Sequence, residues 1–242
     1  MKHLRLNWKL YIVLSFLFFY LESTSQDLTP DMKTWYGLNL TYKIDPRVKI
    51  KFGALLSQNT SPSAFSFAQG KLGVSYKIKR RMYVEAGYVK LLLNDSESKR
   101  LLYDITPGMF DKLEFDRIYT NFSYKHDIVK RLSWKHKVEF QYFFPAIEKY
   151  TTRYKYSGKI AYNIRKSSIT PFVENQFYYY GGGVIENGFK RYRFKPGVSF
   201  KLIKDFPMGT SLYYISQNEY NTEPLNDNDY NVLGISFTFT LN

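Results

Sequence analysis

The segment "RYRFKPGVSFKL", residues 191–202, alternates between two kinds of side chain without interruption. Its odd positions include Arg191, Arg193 and Lys195, and its even positions are apolar, as at Tyr192 and Phe194. Because successive side chains of a strand point to opposite faces, the segment is predicted to be one β-strand with a basic face and an apolar face. The alternation alone fits both a soluble sandwich with an apolar core and a membrane barrel with a charged lumen.

The same two-faced pattern recurs along the chain and predicts about eleven strands. Clear examples are "WYGLNLTYK" at 35–43, "RVKIKFGALL" at 47–56 and "NVLGISFTFTL" at 231–241, and no amphipathic helix or interdomain linker separates them. Strands of soluble proteins are commonly about five or six residues long, whereas tilted membrane strands need about 9–11. Many of the predicted strands have the longer length, which favours the membrane barrel.

The connections between the predicted strands fall into two classes that alternate along the chain. One class is short and basic, as in "IDPR", "KIKRR" and "DIVKRLS", and the other is longer and polar, as in "SQNTSPSAF" and "NTEPLNDNDY". Outer-membrane barrels have short periplasmic turns and longer external loops. The alternation therefore indicates a barrel whose two ends face different compartments.

The charged faces are expected to point into the barrel. A lysine or arginine facing lipid at mid-depth would cost about 2–4 kcal/mol, whereas the aromatic-rich faces suit a lipid wall. Glycines lie in the middle of strands on the same polar faces, where small residues inside a closed barrel leave room for long side chains from the opposite wall. These glycines are Gly37, Gly53, Gly73, Gly87, Gly197 and Gly234.

The predicted fold is therefore an all-β, transmembrane, antiparallel up-and-down β-barrel of 10–12 strands. Eleven strands would leave the mature N-terminus at the outer end, whereas bacterial barrels have an even number of strands and both termini in the periplasm. Either residues 27–34 hold a missed element or cross the lumen, or one strand is assigned wrongly. Ten and twelve strands both satisfy the parity rule, and twelve is favoured.

The lumen is predicted to be basic, with Glu85, Glu139 and Glu174 as its acids. Such a lumen either attracts an anionic solute or lipid head group, or forms an internal salt-bridge network that fills a small barrel. The size argument favours the second interpretation, because eight strands are filled by side chains and channels open near 16–18. The lumen-facing basic candidates are Arg117, Lys135, Lys137, Arg153, Lys155, Arg191, Arg193 and Lys195.

The N-terminus has the pattern of a secretory signal. Lys2, Arg5 and Lys9 precede an apolar run over 10–21, and small residues follow at Ser23 and Ser25. Residues 1–25 are predicted to be a signal peptide and residues 26–242 a single outer-membrane barrel domain. The formal net charge is +14 and there are no cysteines. Export argues against nucleic acid as the partner of this positive charge.

Signals for catalysis are weak, and no catalytic, cofactor-binding or metal-ligating residue is predicted. His126 and His136 are the histidines outside the signal, and neither "HDI" nor "HKV" places a serine two positions later, the spacing expected of an outer-membrane phospholipase. Imidazoles at the membrane interface are expected instead. Two alternatives remain open, a lipid-modifying enzyme that uses these histidines and a secreted soluble β-sandwich.

Several motifs together resemble an uncharacterised outer-membrane family of Gram-negative bacteria, catalogued as a domain of unknown function. They are the strand that begins at Trp35, "EAGY" at 85–88, "TRYKYSGKIAY" at 152–162, "RYRFKPGVSF" at 191–200 and "LGISFTF" at 233–239. The resemblance implies an outer-membrane β-barrel and supplies no known active site. The expected function is non-enzymatic, either a narrow or plugged pore with a basic lumen or a structural envelope role. The expected partners are outer-membrane lipid and an anionic small solute.

Overall fold

The structure, a computed structural model, describes residues 31–59, 65–93, 113–144, 152–182, 187–201, 207–220 and 229–241. These residues form a closed all-β barrel. They contain no helix that is long and apolar enough to cross a membrane. The predicted signal peptide lies outside the described residues. The strands are β1 Asp31–Lys43, β2 Val48–Asn59, β3 Phe65–Lys79, β4 Met82–Leu93, β5 Leu113–Val129, β6 Leu132–Phe143, β7 Thr152–Tyr162, β8 Thr170–Gly181, β9 Gly188–Phe200, β10 Met208–Glu219 and β11 Tyr230–Leu241.

Consecutive strands pair in antiparallel fashion, and β1 closes the barrel by pairing with β11 in parallel, from Asp31 opposite Tyr230 to Tyr42 opposite Leu241. The preference for twelve strands is therefore wrong, because the described residues close the barrel with eleven. An odd number of alternating strands brings the first and last into the same direction. Since a parallel ladder also satisfies the backbone donors and acceptors, closure needs no twelfth strand.

The two ends of the barrel differ, as the connections predict. At the tight-turn end, β3 joins β4 through residues 80–81 and β5 joins β6 through residues 130–131. The turn between β1 and β2 is closed by Asp45, whose Oδ1 accepts hydrogen bonds from the backbone N–H groups of Arg47 at 2.5 Å and Val48 at 2.8 Å. At the opposite, long-loop end, β4 and β5 are connected by residues 94–112. Asp31 also lies at the long-loop end, so β1 enters the barrel there.

The two faces of the wall have the polarity of a membrane barrel. Large apolar side chains point outward and are exposed, for example Leu38 at 49%, Val74 at 52% and Leu233 at 54%. Charged side chains such as Glu85 and Arg117 are buried inside. A continuous exposed apolar surface is unfavourable in water and suits lipid. A closed barrel also excludes the soluble sandwich that the alternation alone had left open.

Glycines on the inner face make room for aromatic rings, as expected for a filled lumen. Gly73 and Gly87 face each other on β3 and β4. A Cβ atom on Gly73 would lie 2.0 Å from the hydroxyl oxygen of Tyr119, and one on Gly87 would lie 2.1 Å from the carbonyl oxygen of Leu72. A Cβ on Gly234 would lie 2.1 Å from the ring of Tyr213. Tyr119 and Tyr213 thus occupy space that only glycine leaves open.

We expect the substitution Gly87→Ala to lower the free energy of unfolding by about 1–3 kcal/mol, the usual effect of overpacking. Its new methyl group would meet backbone atoms, which cannot rotate away. Gly70→Ala is the matched control on β3, because no atom lies within 4 Å of its Cβ position. Denaturant unfolding of the detergent-folded protein measures both variants. Equal unfolding midpoints for Gly87→Ala and Gly70→Ala would contradict this account of the packing.

Candidate functional site

The lumen contains a cavity of about 450 Å³ toward the long-loop end. Among the described residues that line it, nine are lysine or arginine and one, Glu139, carries a carboxylate. A smaller cavity of about 210 Å³ contains Lys135 in its wall, with Lys51 and Glu85. The structure thus places every predicted basic candidate in the wall of one of two cavities, and their contact with a solute stays a prediction. Those in the larger cavity are Arg117, Lys137, Arg153, Lys155, Arg191, Arg193 and Lys195.

Tyr178 is the centre of the most concentrated positive charge in the described lumen. It is 2% exposed and lies on β8 directly opposite Lys155 of β7 and Arg191 of β9. The Nζ atom of Lys155 is 5.1 Å from the centroid of its ring, and the Cζ atoms of Arg193, Arg153 and Arg191 are 5.3, 5.5 and 5.8 Å from it. The electron-rich ring face partly offsets the mutual repulsion of these cations.

Arg193 is held in place by neutral oxygen atoms. Its Nε donates a hydrogen bond to Oε1 of Gln217 at 2.6 Å. Its two terminal nitrogens donate to the hydroxyl oxygens of Tyr178 and Tyr230, both at 3.1 Å. Three hydrogen bonds fix the plane of the guanidinium group, and the neutral partners orient this charge without cancelling it.

The other two arginines near Tyr178 are anchored in different ways. Arg153 donates from Nε and one terminal nitrogen to Oε1 of Gln141, at 2.9 and 2.5 Å, and reaches the hydroxyl of Tyr180 at 3.4 Å. Arg191 forms an ion pair with Glu219, to which its Nε donates at 2.6 Å. The arginine cluster therefore combines oriented cations with at least one internal carboxylate.

Two lysines lie at the junction of the cavities. Lys71 and Lys137 line both, together with Asn39 and Gly53. The Nζ atom of Lys137 is 2.5 Å from Oε2 of Glu139. Each junction lysine is thus tethered to a carboxylate, since Lys71 pairs with Glu85 in the same manner.

Glu85 organises the side of the lumen where Lys71 is anchored. Its two oxygens lie 2.5 Å from Nζ of Lys51 and 3.2 Å from Nζ of Lys71, and it also accepts a hydrogen bond from the hydroxyl of Tyr119 at 2.8 Å. The ammonium group of Lys71 in turn lies 3.9 Å from the centroid of the Tyr119 ring. One buried carboxylate therefore positions two lysines and a tyrosine.

The alternation did not reveal that part of the lumen is apolar. Trp35, Tyr213, Ile215 and Val232 form a buried cluster with neighbouring residues on the inner face, and Arg193 lies 5.1 Å from the centroid of the Trp35 ring. The only signal in the sequence is the alternation of side chains along β1, which puts Trp35 on the same inward face as Gly37. The glutamines that hold the arginines were missed for a similar reason, because neutral side chains do not stand out in a charge pattern.

Both histidines lie on the outer face, in an interfacial cluster near the tight-turn end that consists of Tyr124, His126, Trp134, His136 and Tyr156. The rings of His126 and His136 stack with centroids 5.4 Å apart, and Nδ1 of His136 is 2.8 Å from the hydroxyl of Tyr156. Rings with a polar atom and an apolar body are typical of the aromatic belts at membrane interfaces.

Gly158 falls on the apolar outer face, and the interfacial cluster explains it. Gly158 pairs with His136, and a Cβ there would lie 3.3 Å from both Nε1 of Trp134 and the hydroxyl of Tyr156. A larger side chain would push these rings apart. In the described part of the chain, no group of three or more His, Cys, Asp or Glu residues could hold a metal ion.

Residues 32–229 match the family described as "Protein of unknown function (DUF2490)". The chain belongs to this family. No curated protein matches the sequence of this DUF2490 barrel. The match runs from the second residue of β1 through β10 and ends one residue before β11, so the family assignment concerns the barrel itself.

Among solved structures, the DUF2490 barrel is similar to LpxR from Salmonella typhimurium, with a TM-score of 0.50, 9% identity, and coverage of 80% of this chain and 83% of that one. It also matches a NanC porin, with a TM-score of 0.48, 11% identity, and coverage of 88% of this chain and 100% of that one. A KdgM porin matches with a TM-score of 0.43, 12% identity, and coverage of 81% of this chain and 87% of that one. At such low identity, the similarity to LpxR shows the fold alone, which is that of an outer-membrane β-barrel.

We expect Glu85→Gln to lower the free energy of unfolding by about 1.5–3 kcal/mol, because a charged hydrogen-bond acceptor is lost between two lysines. Glu114→Gln is the matched control, since its pair with Lys90 is about half exposed on the outside and should contribute less than about 1 kcal/mol. Denaturant titration of both variants in detergent tests this. An effect of Glu114→Gln as large as that of Glu85→Gln would show that the buried network contributes nothing special.

Proposed function

We propose that this DUF2490 barrel lies in the outer membrane and carries small anionic solutes through its lumen, without catalysis. The observation that supports the proposal is the lining of the larger cavity, where nine lysine or arginine side chains accompany a single carboxylate. Inward carboxylates pair with some of these cations, as Glu85 does with Lys71 and Glu219 with Arg191. The nine basic side chains still outnumber the inward carboxylates of the described residues, whereas a network that served only to fill the lumen would be expected to balance its charges more closely.

Electrostatics gives this lining a direct consequence. Charges of one sign on low-dielectric walls focus the field and raise the local concentration of counter-ions. The hydrogen bonds of Arg193 to Gln217, Tyr178 and Tyr230 use three of its five guanidinium N–H donors. The other two can donate to a carboxylate or phosphate oxygen. The apolar cluster around Trp35 provides a surface for the uncharged part of a solute. The lumen thus combines charge recognition with apolar contact.

Size limits the solute to a small molecule. Barrels of eight strands are filled by side chains, and aqueous channels open near 16–18 strands. Eleven strands give a lumen between these limits. A cavity of about 450 Å³ has the volume of a typical small-molecule site. A narrow passage with one binding region therefore fits better than a wide general pore.

The junction of the two cavities supplies a mechanism for passage. Lys71 and Lys137 are paired with Glu85 and Glu139, so their ammonium groups are kept in the lumen. An arriving anion can take the place of the carboxylate, and the carboxylate recovers its lysine when the anion leaves. Transport requires binding strong enough to admit the solute and weak enough to release it, and this exchange meets both conditions.

Planar-bilayer conductance of the detergent-folded protein tests the proposal. We expect discrete current steps with preference for anions, and a lower anion-to-cation permeability ratio in the double variant Lys71→Gln/Lys137→Gln, because two cations leave the junction. Lys90→Gln, on the outer surface, is the control and should leave the ratio unchanged. If the protein inserts into the bilayer but carries no current, the proposed passage of anions is wrong, and a filled barrel with a structural role is favoured.

The lipid-modifying alternative has a separate test. His126 and His136 contact aromatic rings on the outer face, and the described hydrogen bond of His136 goes to Tyr156. We expect the purified protein to release no fatty acid from phospholipid or lipopolysaccharide, and His126→Ala/His136→Ala to leave conductance unchanged. If the protein releases fatty acid and the double variant does not, the proposed solute passage is wrong and the protein is a lipid-modifying enzyme.

A further inference from the structure

The tight-turn end carries a repeated feature that the lumen does not explain. Three of its turns have a pair of basic residues at their centre, and in each pair the second residue has a positive φ. These second residues are Arg81 at 69°, Arg131 at 76° and Lys166 at 56°. They are the only residues other than glycine with a positive φ in the described part of the chain.

A positive φ is unfavourable for a residue with a Cβ atom, and glycine or asparagine normally occupies such turn positions. Nothing in the turn geometry itself calls for a long cationic side chain there. The same unfavourable choice occurs at three consecutive hairpins of one rim, between β3 and β4, β5 and β6, and β7 and β8. The shared chemistry of these residues, rather than their conformation, is therefore what requires explanation.

Backbone hydrogen bonds hold two of these turns in equivalent places. The carbonyl oxygen of Arg81 accepts from the N–H of Lys125 at 3.1 Å, and that of Arg131 accepts from the N–H of Asn163 at 2.8 Å. In the first hairpin, the carbonyl oxygen of Arg47 accepts from Lys77 in the same way, at 2.8 Å. The turns of Arg81 and Arg131 are thus anchored to the next hairpin, which fixes the places from which their side chains project.

The side chains of this rim are accessible. Arg80, Lys130, Arg165 and Lys166 are exposed, and Arg81 and Arg131 are partly exposed. Arg81 pairs with Asp127 at 2.6 Å, but both side chains are well exposed, at 39% and 47%. An exposed pair of this kind is weak and open to competition from another anion.

The interfacial cluster indicates which anion would lie beside the rim. Trp134 is three residues from Arg131, a distance of about 10 Å along a strand and less along the membrane normal because barrel strands are tilted. Aromatic side chains of this type lie at the level of the lipid head groups. The basic turns therefore lie where the phosphates of that leaflet would be.

We propose that Arg81, Arg131 and Lys166 form an arc that binds the phosphate groups of anionic phospholipids in the leaflet at the tight-turn end. Each cation near an anionic membrane surface contributes favourably to such binding. The arc would anchor and orient the barrel in the bilayer. This inference requires the membrane location but is independent of whether the lumen conducts.

Trp134 supplies the measurement, because it lies on the outer face close to the rim. The protein is reconstituted in vesicles of phosphatidylcholine and phosphatidylglycerol in which one or the other lipid is brominated, and quenching is compared. The variant Trp134→Phe identifies the signal of this residue. We expect a relative association at least about fivefold in favour of phosphatidylglycerol at low salt, falling toward one at high salt.

The decisive variant is Arg81→Gly/Arg131→Gly/Lys166→Gly. Glycine accepts the positive φ, so the turns should keep their conformation and the barrel its stability. The preference for phosphatidylglycerol should fall by at least about twofold, with Arg80, Lys130 and Arg165 accounting for what remains. The charge-preserving variant Arg81→Lys/Arg131→Lys/Lys166→Arg should retain the preference. Equal quenching by both lipids in the unaltered protein, an unchanged preference in the glycine variant, or no quenching by either lipid would overturn the inference.

Discussion

The closure of the sheet by the parallel pair β1 and β11 is the constraint on which the rest of the structure depends. In lipid, each backbone N–H and C=O group must find a partner within the protein, so an open sheet edge cannot be tolerated. Closure also creates the inside, where Glu85 and Arg153 can be buried with partners while Leu38 and Val74 face outward. Without it, the same strands would be a two-faced sheet with an exposed edge.

The closed wall sets the packing problem that the lumen solves. Eleven strands enclose too much space to leave empty and too little for a wide channel. Tyr119 and Tyr213 fill part of it against glycines, and an apolar cluster around Trp35 fills another part. The remaining cavities are lined mainly by cations that tyrosines, amides and a few carboxylates orient. Under the proposed function, the size and the charge of this partly filled lumen would act together on the same solute.

Positive charge thus occurs on two separate surfaces with different local surroundings, and we propose a different role for each. In the lumen, Arg193 is oriented by hydrogen bonds to Gln217 and two tyrosines, which suits recognition of a single anion. At the rim, Arg131 and its counterparts extend from tight turns beside aromatic rings that mark the lipid interface. A net charge of +14 for the whole chain does not distinguish these two uses.

Period-two alternation determined much of this protein, because side-chain direction in a strand is a local property. It was sufficient for the strand positions, the inward direction of Arg191 and Lys195, and the alternation of tight turns with long loops. The closing pair could not be predicted in this way: β1 and β11 are far apart in sequence, and a parity rule drawn from other barrels suggested a twelfth strand. The gathering of Lys155, Arg153 and Arg193 around Tyr178 also needed the tertiary structure. Which inward side chains meet depends on strand register and barrel curvature, and these arise only when the sheet closes.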